Sequence, residues 1–368
     1  MPKASSKVVP QTTEPSAADI RDWVVTEVAK LVEVERSSID SNAPLYSFAV
    51  DSLKALGLAG ALAGWLDREL PATLLWDYPT IDAIAEALTN PEVAAVATAR
   101  PGVIDLQPQG HVLPLFCFPG ARGHPVTFAP MAMCLAPDYP CYGLTVPGFN
   151  GEQAPLEKIE DIAAAMLENL RRVQPRGPYQ LAGYSYGGLL AFEAAQQLTA
   201  AGETVSLLAM FDTSTPDGFA IRPRWQRAAY HAWILAAHPG RRKYIRERLA
   251  HRQQLRSAEL HLPAMAEIHE LPKEEAFARE VEAANNRAIA RYRPTPYGGS
   301  ILIFRAIDRQ TYRVAYRYDT VITGWAALTD GRCHVIDLPG DHMNVLSVEN
   351  APIAAKKLKP HLSASLAL

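Results

Sequence analysis

Residues 179–198 read YQLAGYSYGGLLAFEAAQQL, and this stretch decides the fold of the larger part of the chain. The apolar run 179–182 is followed by GYSYG (183–187), and a helical pattern extends over residues 188–198. The GxSxG motif in this context predicts a strand, a tight turn and a helix, with the serine hydroxyl presented at the turn. Gly183 and Gly187 leave room for the strained turn, and the helix start favours a developing negative charge. We therefore take Ser185 as a candidate nucleophile.

Short apolar runs alternate with helical segments on both sides of this motif. They are VIDL (103–106), LPLFCFPG (113–120), CYGLTV (141–146), VSLLAMFD (205–212), ILIFRA (301–306) and CHVIDLPG (333–340). Such alternation predicts a mostly parallel sheet with helices on both faces. Residues 216–296 are charged and helical without a convincing strand. We interpret them as an insertion over the carboxyl edge of the sheet, where lids lie.

A serine hydroxyl needs a base within hydrogen-bond reach, and in this chain order the base comes last. His342 follows the final apolar run in the sequence LPGDH and is placed on the required loop. A carboxylate must then orient the imidazole. Asp212 and Asp308 both end strands in suitable places, and spacing alone does not choose between them. Asp341 is too near His342 in sequence to bend back to its ring nitrogen.

Acyl-transfer chemistry also needs two backbone N–H groups for the oxyanion. One is expected from Tyr186, directly after the candidate nucleophile. The other is expected from the loop FPGARG (118–123), where Gly120 permits a sharp turn, and we choose the N–H of Ala121.

The front of the chain has a different character. Residues 17–90 show apolar positions at helical spacing and no strand pattern, and residues 17–92 carry thirteen acidic side chains against five basic ones. Residues 91–109 are rich in small residues and Pro, so we expect a linker there. An acidic front module and a mildly basic body would attract one another, and the basic run 240–256 is a candidate for that contact.

The front module resembles the acyl carrier proteins of polyketide synthases. The resemblance is carried by VDSL (50–53), by LYSF (45–48) before it and by LPATLLWDYPTI (70–81) after it. It implies a small all-α four-helix carrier domain over residues 17–90, with 4′-phosphopantetheine attached covalently to Ser52. Without the resemblance, Ser52 would be an ordinary helix N-cap. Ala49 departs from the pattern, because many carriers have glycine there.

Residues 110–365 resemble the terminal type I thioesterases of polyketide, nonribosomal peptide and fatty acid synthases. The matching segments are FPGA (118–121), GPY (177–179), GYSYGG (183–188), FDT (211–213), GW (324–325) and PGDH (339–342). The resemblance implies an α/β-hydrolase fold with a helical lid, and it places the acid at Asp212. Some related stand-alone thioesterases use the next strand instead, which would correspond to Asp308.

Together the two resemblances imply terminal chain release. An acyl thioester on the arm of Ser52 would pass to Ser185 and leave by hydrolysis or cyclisation. Its partners would be a phosphopantetheinyl transferase, upstream synthase domains and the acyl thioester substrate. The alternatives are a catalytically inactive domain that docks the carrier, and a lipase or esterase with a helical appendage.

Composition excludes several other classes. No apolar run approaches the roughly 18 residues of a membrane span, and the polar start lacks a secretion signal, so we expect a cytoplasmic protein. The four cysteines show no metal-binding spacing. We therefore expect no metal site. The basic run lacks the interleaved aromatic residues of a nucleic-acid groove, so we expect no nucleic acid partner.

Overall fold

The computed structural model describes most of the chain, which divides into two compact units, one up to residue 99 and one from residue 100. Residues 15–90 are described except 49, 51, 69, 71–73 and 79, and residues 102–362 are described except 150–152, 220–222, 238–244, 246–272 and 309–322. Ala49, nearly all of the basic run 240–256 and much of the predicted lid 216–296 lie outside the described residues.

In its described residues the first unit contains helices and no β-strand, as the sequence predicts. Its helices are α1 (Ala17–Val32), α2 (Ser52–Leu66), α3 (Leu74–Asp77) and α4 (Ile81–Thr89), with short 3-10 helices at Arg36–Ser38 and Leu45–Phe48. Its fully buried side chains come from α1, α2 and α4. They are Ile20, Val24, Val28, Leu62, Ile81, Ile84 and Ala85.

Helix α1 begins where it does because Ser16 and Asp19 form a capping box. The Ser16 side chain accepts a hydrogen bond from the Asp19 N–H, and the Asp19 carboxylate accepts one from the Ser16 N–H. Thr80 caps α4 in the same way by accepting from the Ala83 N–H. Such caps satisfy backbone donors that a helix leaves open at its start.

The second unit contains a seven-stranded sheet in its described residues, with strand order β1-β3-β2-β4-β5-β6-β7. The strands are β1 (Val103–Gln107), β2 (Leu115–Phe118), β3 (Cys141–Leu144), β4 (Tyr179–Tyr184), β5 (Val205–Phe211), β6 (Ile301–Ala306) and β7 (Cys333–Leu338). The helices are α5 (Ala129–Leu135), α6 (Ile159–Val173), α7 (Tyr186–Ala200), α8 (Arg224–Ala237), α9 (Lys273–Arg291), α10 (Thr323–Leu328) and α11 (Ala351–Leu362), with 3-10 helices at Pro125–Phe128 and Pro216–Phe219. Only β1 runs antiparallel to its neighbour; the other pairs are parallel.

Two apolar layers cover this sheet, which explains why its strands are continuous apolar runs. One layer contains buried side chains of α6, α7 and α9 together with Trp325 of α10, and the other those of α5 and α11. Strand β4 is buried along its whole length. Because β4, β5, β6 and β7 are parallel neighbours, their carboxyl ends lie at the same edge of the sheet. The candidate site lies at this edge.

Strand β1 overlaps the predicted linker, residues 91–109. Its residues Val103 to Gln107 pair with β3, and both Ile104 and Gln107 are buried. Residues 103–106 were predicted both as an apolar strand run and as part of the linker 91–109, and the structure confirms the strand. The proposed limits of the carrier and hydrolase domains remain predictions.

No described helix combines the length and the hydropathy that a membrane crossing requires. The described residues also contain no group of three or more His, Cys, Asp or Glu side chains able to hold a metal ion.

Candidate active site

Ser185 lies at the turn between β4 and α7, with φ 54° and ψ −117°. Residues other than glycine rarely adopt these backbone angles, and they do so only where the surrounding structure enforces them. The Ser185 N–H donates to the Phe211 carbonyl at 2.9 Å. A Cβ atom added at Gly187 would lie 2.2 Å from the Phe118 carbonyl oxygen, and one at Gly183 would lie 2.2 Å from the Gly187 oxygen. The strained turn therefore requires glycine on both sides of the serine.

His342 lies on the loop after β7, as its position in the sequence predicts. Its Nε2 is 2.9 Å from the Oγ of Ser185, and both side chains are buried. The loop turns at Gly340, which has φ 90° and where a Cβ would meet the Asn344 side chain at 2.1 Å. A neutral imidazole at this distance is placed to accept the serine proton.

Tyr184, the residue before the serine, contacts His342 through both its hydroxyl and its ring. Its hydroxyl donates to the His342 carbonyl oxygen at 2.5 Å, and its ring stacks on the imidazole with centroids 5.3 Å apart. The strand that carries Ser185 thus also supports His342. The motif GxSxG leaves the residue before the serine unspecified, so this contact could not be predicted from the motif.

Asp212 directly follows β5 and completes the hydrogen-bond chain. Its Oδ2 lies 2.9 Å from His342 Nδ1, and its Oδ1 accepts from the Ala306 N–H at 3.0 Å. The residue is fully buried and has φ 46°. Its N–H donates to the Phe304 carbonyl at 2.7 Å, which fixes this backbone. Both carboxylate oxygens are thus held, and one is aimed at the imidazole.

Asp308 and Asp341 have other positions in the same region. The Asp308 N–H donates to the Gly340 carbonyl at 2.9 Å, so this residue fixes the histidine loop through its backbone. Asp341 accepts from the Met343 N–H at 2.9 Å and caps the turn that follows it. Of the two acids that spacing left open, the structure joins Asp212 to His342.

The loop after β2 packs directly against the serine turn. Its backbone reverses through a hydrogen bond from the Gly123 N–H to the Gly120 carbonyl at 2.9 Å, and Ala121 is the second residue of this turn. The hydrogen bond that closes the turn does not use the Ala121 N–H. The close approach of Gly187 to the end of β2 brings this loop beside the start of α7. Tyr186 is the first residue of α7, so its N–H has no acceptor within the helix. Tyr186 thus directly follows Ser185, and the loop that carries Ala121 lies against the same turn at Gly187; their roles as oxyanion donors remain predictions.

One further residue near the site, Asn285, was not predicted. Asn285 of α9 is buried, and its amide contacts both the Tyr186 hydroxyl and the Ala121 carbonyl. A polar residue inside the apolar stripe of Val281 and Ala288 is the sequence signal that could have identified it.

Burial controls the protonation of two side chains beside the site. It raises the pKa of the Tyr186 phenol far above its usual range, so this hydroxyl remains a hydrogen-bond donor. It lowers the pKa of His124 to about 3, so this imidazole stays neutral. His124 Nδ1 accepts from the Val126 N–H at 3.2 Å and caps the 3-10 helix that begins there.

In the first unit, Ser52 is the first residue of α2, a helix of 15 residues. The N–H groups at the start of a helix bind phosphate oxygens. This placement fits a phosphodiester on Ser52, the residue that would hold a phosphopantetheine group.

Comparison with known proteins agrees with both units. Residues 113–362 match the family model of the thioesterase domain, and residues 22–88 match that of the phosphopantetheine attachment site. Indigoidine synthase of Dickeya dadantii is 34% identical over 182 residues, which cover 50% of this chain and 12% of the synthase. A non-reducing polyketide synthase of Pseudevernia furfuracea is 27% identical over 223 residues, covering 55% of this chain and 10% of that one.

A solved structure extends this likeness across both units. The four-domain nonribosomal peptide synthetase holo-AB3403, bound to AMP and glycine, matches with a TM-score of 0.56 and 22% identity over 98% of this chain and 27% of its own. This chain spans less than a third of the length of the curated relatives it matches. The predicted order, carrier and then thioesterase, is confirmed. The chain belongs to the thioesterase domain family, with a phosphopantetheine attachment domain ahead of it.

Proposed function

We propose that this chain releases an acyl group from its own carrier domain, with Ser52 as the attachment site and Ser185 as the nucleophile. The observation that carries the proposal is the buried hydrogen-bond chain of Ser185, His342 and Asp212, called the triad below. It occurs in a chain whose first unit matches the phosphopantetheine attachment family. Supply and removal of a thioester are thus combined in one polypeptide.

In the first half-reaction the Oγ of Ser185 attacks the thioester carbonyl carbon while its proton passes to His342 Nε2. The N–H groups of Ala121 and Tyr186 stabilise the negative charge that develops on the carbonyl oxygen. Asp212 keeps the Nδ1–H tautomer and stabilises the imidazolium. When the carbon–sulfur bond breaks, His342 returns the proton to the departing sulfur, and the acyl group remains on Ser185 as an ester.

The second half-reaction frees the acyl group. His342 Nε2 takes a proton from a second nucleophile, which attacks the ester carbonyl in the same oxyanion site. The proton then passes to the Oγ of Ser185 as the ester bond breaks. Water as nucleophile gives a free acid, and a hydroxyl or amine of the acyl chain itself gives a ring.

The carrier half of the proposal assigns 4′-phosphopantetheine to Ser52. When attached there, the group presents the acyl chain as a thioester. A phosphopantetheinyl transferase would add it, and upstream synthase domains would supply the acyl chain. Because carrier and thioesterase share one chain, tethering raises the local substrate concentration to about the millimolar range, and weak docking suffices.

Two measurements on the intact chain test the proposal. A fluorophosphonate probe should label the wild type and not Ser185→Ala, while Ser214→Ala, a change at a buried serine outside the triad, should be labelled as the wild type is. Incubation with coenzyme A and a phosphopantetheinyl transferase should add the phosphopantetheine mass to the wild type and not to Ser52→Ala.

The outcomes separate the alternatives. Labelling of Ser185 without mass gain on Ser52 would replace the proposal with a lipase or esterase that carries a helical appendage. Mass gain on Ser52 without labelling of Ser185 would indicate an inactive domain that docks the carrier.

A further inference from the structure

Helix α9 brings a buried amide to the oxyanion region. Asn285 is 1% exposed and lies among the buried α9 residues Val281, Ala284 and Ala288. An amide costs free energy when it leaves water without new hydrogen bonds, so a buried asparagine in an apolar stripe is normally fixed by its partners. The partners of Asn285 therefore indicate what this residue does.

Both partners are candidate oxyanion residues. The Tyr186 hydroxyl donates to Asn285 Oδ1 at 3.0 Å, and Asn285 Nδ2 donates to the Ala121 carbonyl oxygen at 2.8 Å. The amide orientation is determined, because a backbone carbonyl can only accept and must face the NH₂ group. The high pKa of the buried Tyr186 phenol keeps its proton available for the other bond.

From this geometry we propose that Asn285 is a positioning residue that sets the distance between the two oxyanion donors. The proposal rests on the function proposed above. The N–H and C=O of Ala121 flank one Cα atom, so a bond to the carbonyl restricts the rotation that aims the N–H. The bond to Tyr186 fixes the residue that follows Ser185. One amide thereby connects the loop after β2 to the start of α7.

Helix α9 is itself attached to the body of the second unit. Arg287 and Arg291 pair with Glu157 at 2.9 and 3.0 Å. The Tyr292 hydroxyl donates to Glu193 at 2.8 Å. These contacts hold the helix from which the Asn285 side chain extends.

A second contact joins α9 to the oxyanion loop. A Cβ atom at Gly123 would lie 3.1 Å from Val281 Cγ1, so the helix packs directly on this loop. The segment of α9 from Val281 to Arg291 therefore supports the oxyanion site. A displacement of this segment would alter both donors together.

The test measures kcat and KM for p-nitrophenyl hexanoate, together with the rate of inactivation by a fluorophosphonate. Asn285→Ala should lower kcat about 10- to 100-fold and leave KM within about threefold, because oxyanion donors act mainly on the transition state. The inactivation rate should fall in parallel, since the phosphonyl oxygen occupies the same site. Tyr186→Phe, which keeps the backbone donor and removes one bond, should lower kcat about fivefold to tenfold.

A matched control separates positioning from stability. Thr329→Val removes a buried hydrogen bond, from the Thr329 hydroxyl to the Trp325 carbonyl at 2.9 Å, that lies outside α9 and the oxyanion loop. This variant should therefore lower Tm while kcat stays within about twofold. The double variant Asn285→Ala/Tyr186→Phe should lose little more than Asn285→Ala alone, because both changes break one connection.

Wild-type kcat in folded Asn285→Ala would overturn the inference, and so would an equal loss of kcat in Thr329→Val. If Asn285→Ala does not fold, the nearly isosteric Asn285→Asp and Tyr186→Phe decide: unchanged kcat in both refutes the positioning role. Failure of the proposed function has a different signature, which is full hydrolysis by Ser185→Ala.

Discussion

Ser185 and Ser52 both stand at the start of a helix, but their surroundings differ. Ser185 caps α7 in a strained turn, its partner His342 lies 157 residues further along the chain, and that histidine meets Asp212 across 130 residues. Ser52 begins α2, and its proposed role depends on a short motif that a separate transferase reads. A nucleophile needs activating side chains from its own chain, whereas an attachment site is modified by the active site of a separate transferase. Ser185 thus depends on tertiary packing, and Ser52 on local sequence.

The largest expected effect is the separation of the two serines. Ser185→Ala should reduce p-nitrophenyl ester hydrolysis by about 10⁴- to 10⁶-fold and leave phosphopantetheine loading unchanged. Ser52→Ala should abolish loading and leave ester hydrolysis unchanged. Hydrolysis rates and intact mass, measured on both variants, check this contrast. Loss of hydrolysis in Ser52→Ala would break it.

The next effect concerns the long-range partner of Ser185. Asp212→Asn should lower kcat by about 10³- to 10⁴-fold, because the amide disfavours the tautomer in which Nε2 accepts the serine proton. Asp308→Asn keeps the backbone bond to Gly340 and should change kcat by about threefold or less. Steady-state kinetics on both variants decide between the acids, and the reverse order of effects would assign the role to Asp308.

A pair of glycine substitutions sharpens the contrast in packing. Gly187→Ala should destabilise the protein by about 3 kcal/mol, since its Cβ would lie 2.2 Å from the Phe118 oxygen. Gly64→Ala in α2 meets no atom within 4 Å and should stabilise its helix by about 0.5–1 kcal/mol. Urea denaturation measures both changes. A neutral Gly187→Ala would show that the turn is less constrained than its contacts indicate.

A smaller effect should appear in the pH dependence of stability. Burial lowers the pKa of His124 to about 3, so below pH 6.5 the unfolded chain binds a proton that the native state does not. The contribution of His124 to the free energy of unfolding is therefore fully present above pH 6.5 and is lost as the pH falls toward 3. Between pH 7.5 and pH 5 the loss should be about 2 kcal/mol.

The matched variant for this effect is His124→Asn, which retains a side-chain acceptor for the Val126 N–H and removes the titration. It should lose less stability than the wild type between pH 7.5 and pH 5 in urea denaturation. Residues 1–99 contain no histidine, so this contribution belongs to the second unit alone. Equal losses in both proteins would contradict it.

The sequence predicted most of the fold because its signals are local. All seven apolar runs form strands, and the helical spacing of apolar residues in 17–90 predicted the helices of the first unit. Residues 103–106 were predicted both as a strand and as part of the linker 91–109. The prediction was ambiguous because an edge strand of five residues beside Pro and Gly has only a weak periodic pattern.

The contacts of the site that join residues far apart in the sequence could not be predicted from the sequence. Spacing placed Asp212 and Asp308 equally well, and only folding brings one carboxylate to His342. Tyr184 and Asn285 escaped prediction because their partners lie 158 and 164 residues away, at His342 and Ala121. The catalytic roles of these residues remain predictions.

The central claim is tested most directly by following one acyl group between the two serines. The chain is loaded with hexanoyl-coenzyme A by a phosphopantetheinyl transferase, quenched over time and digested, and the hexanoyl mass is located on the peptides that contain Ser52 and Ser185. We expect the mass to leave the Ser52 peptide and to appear transiently on the Ser185 peptide, and to stay on Ser52 in Ser185→Ala. Loss of hexanoyl from Ser52 at the same rate in Ser185→Ala and the wild type would contradict the account.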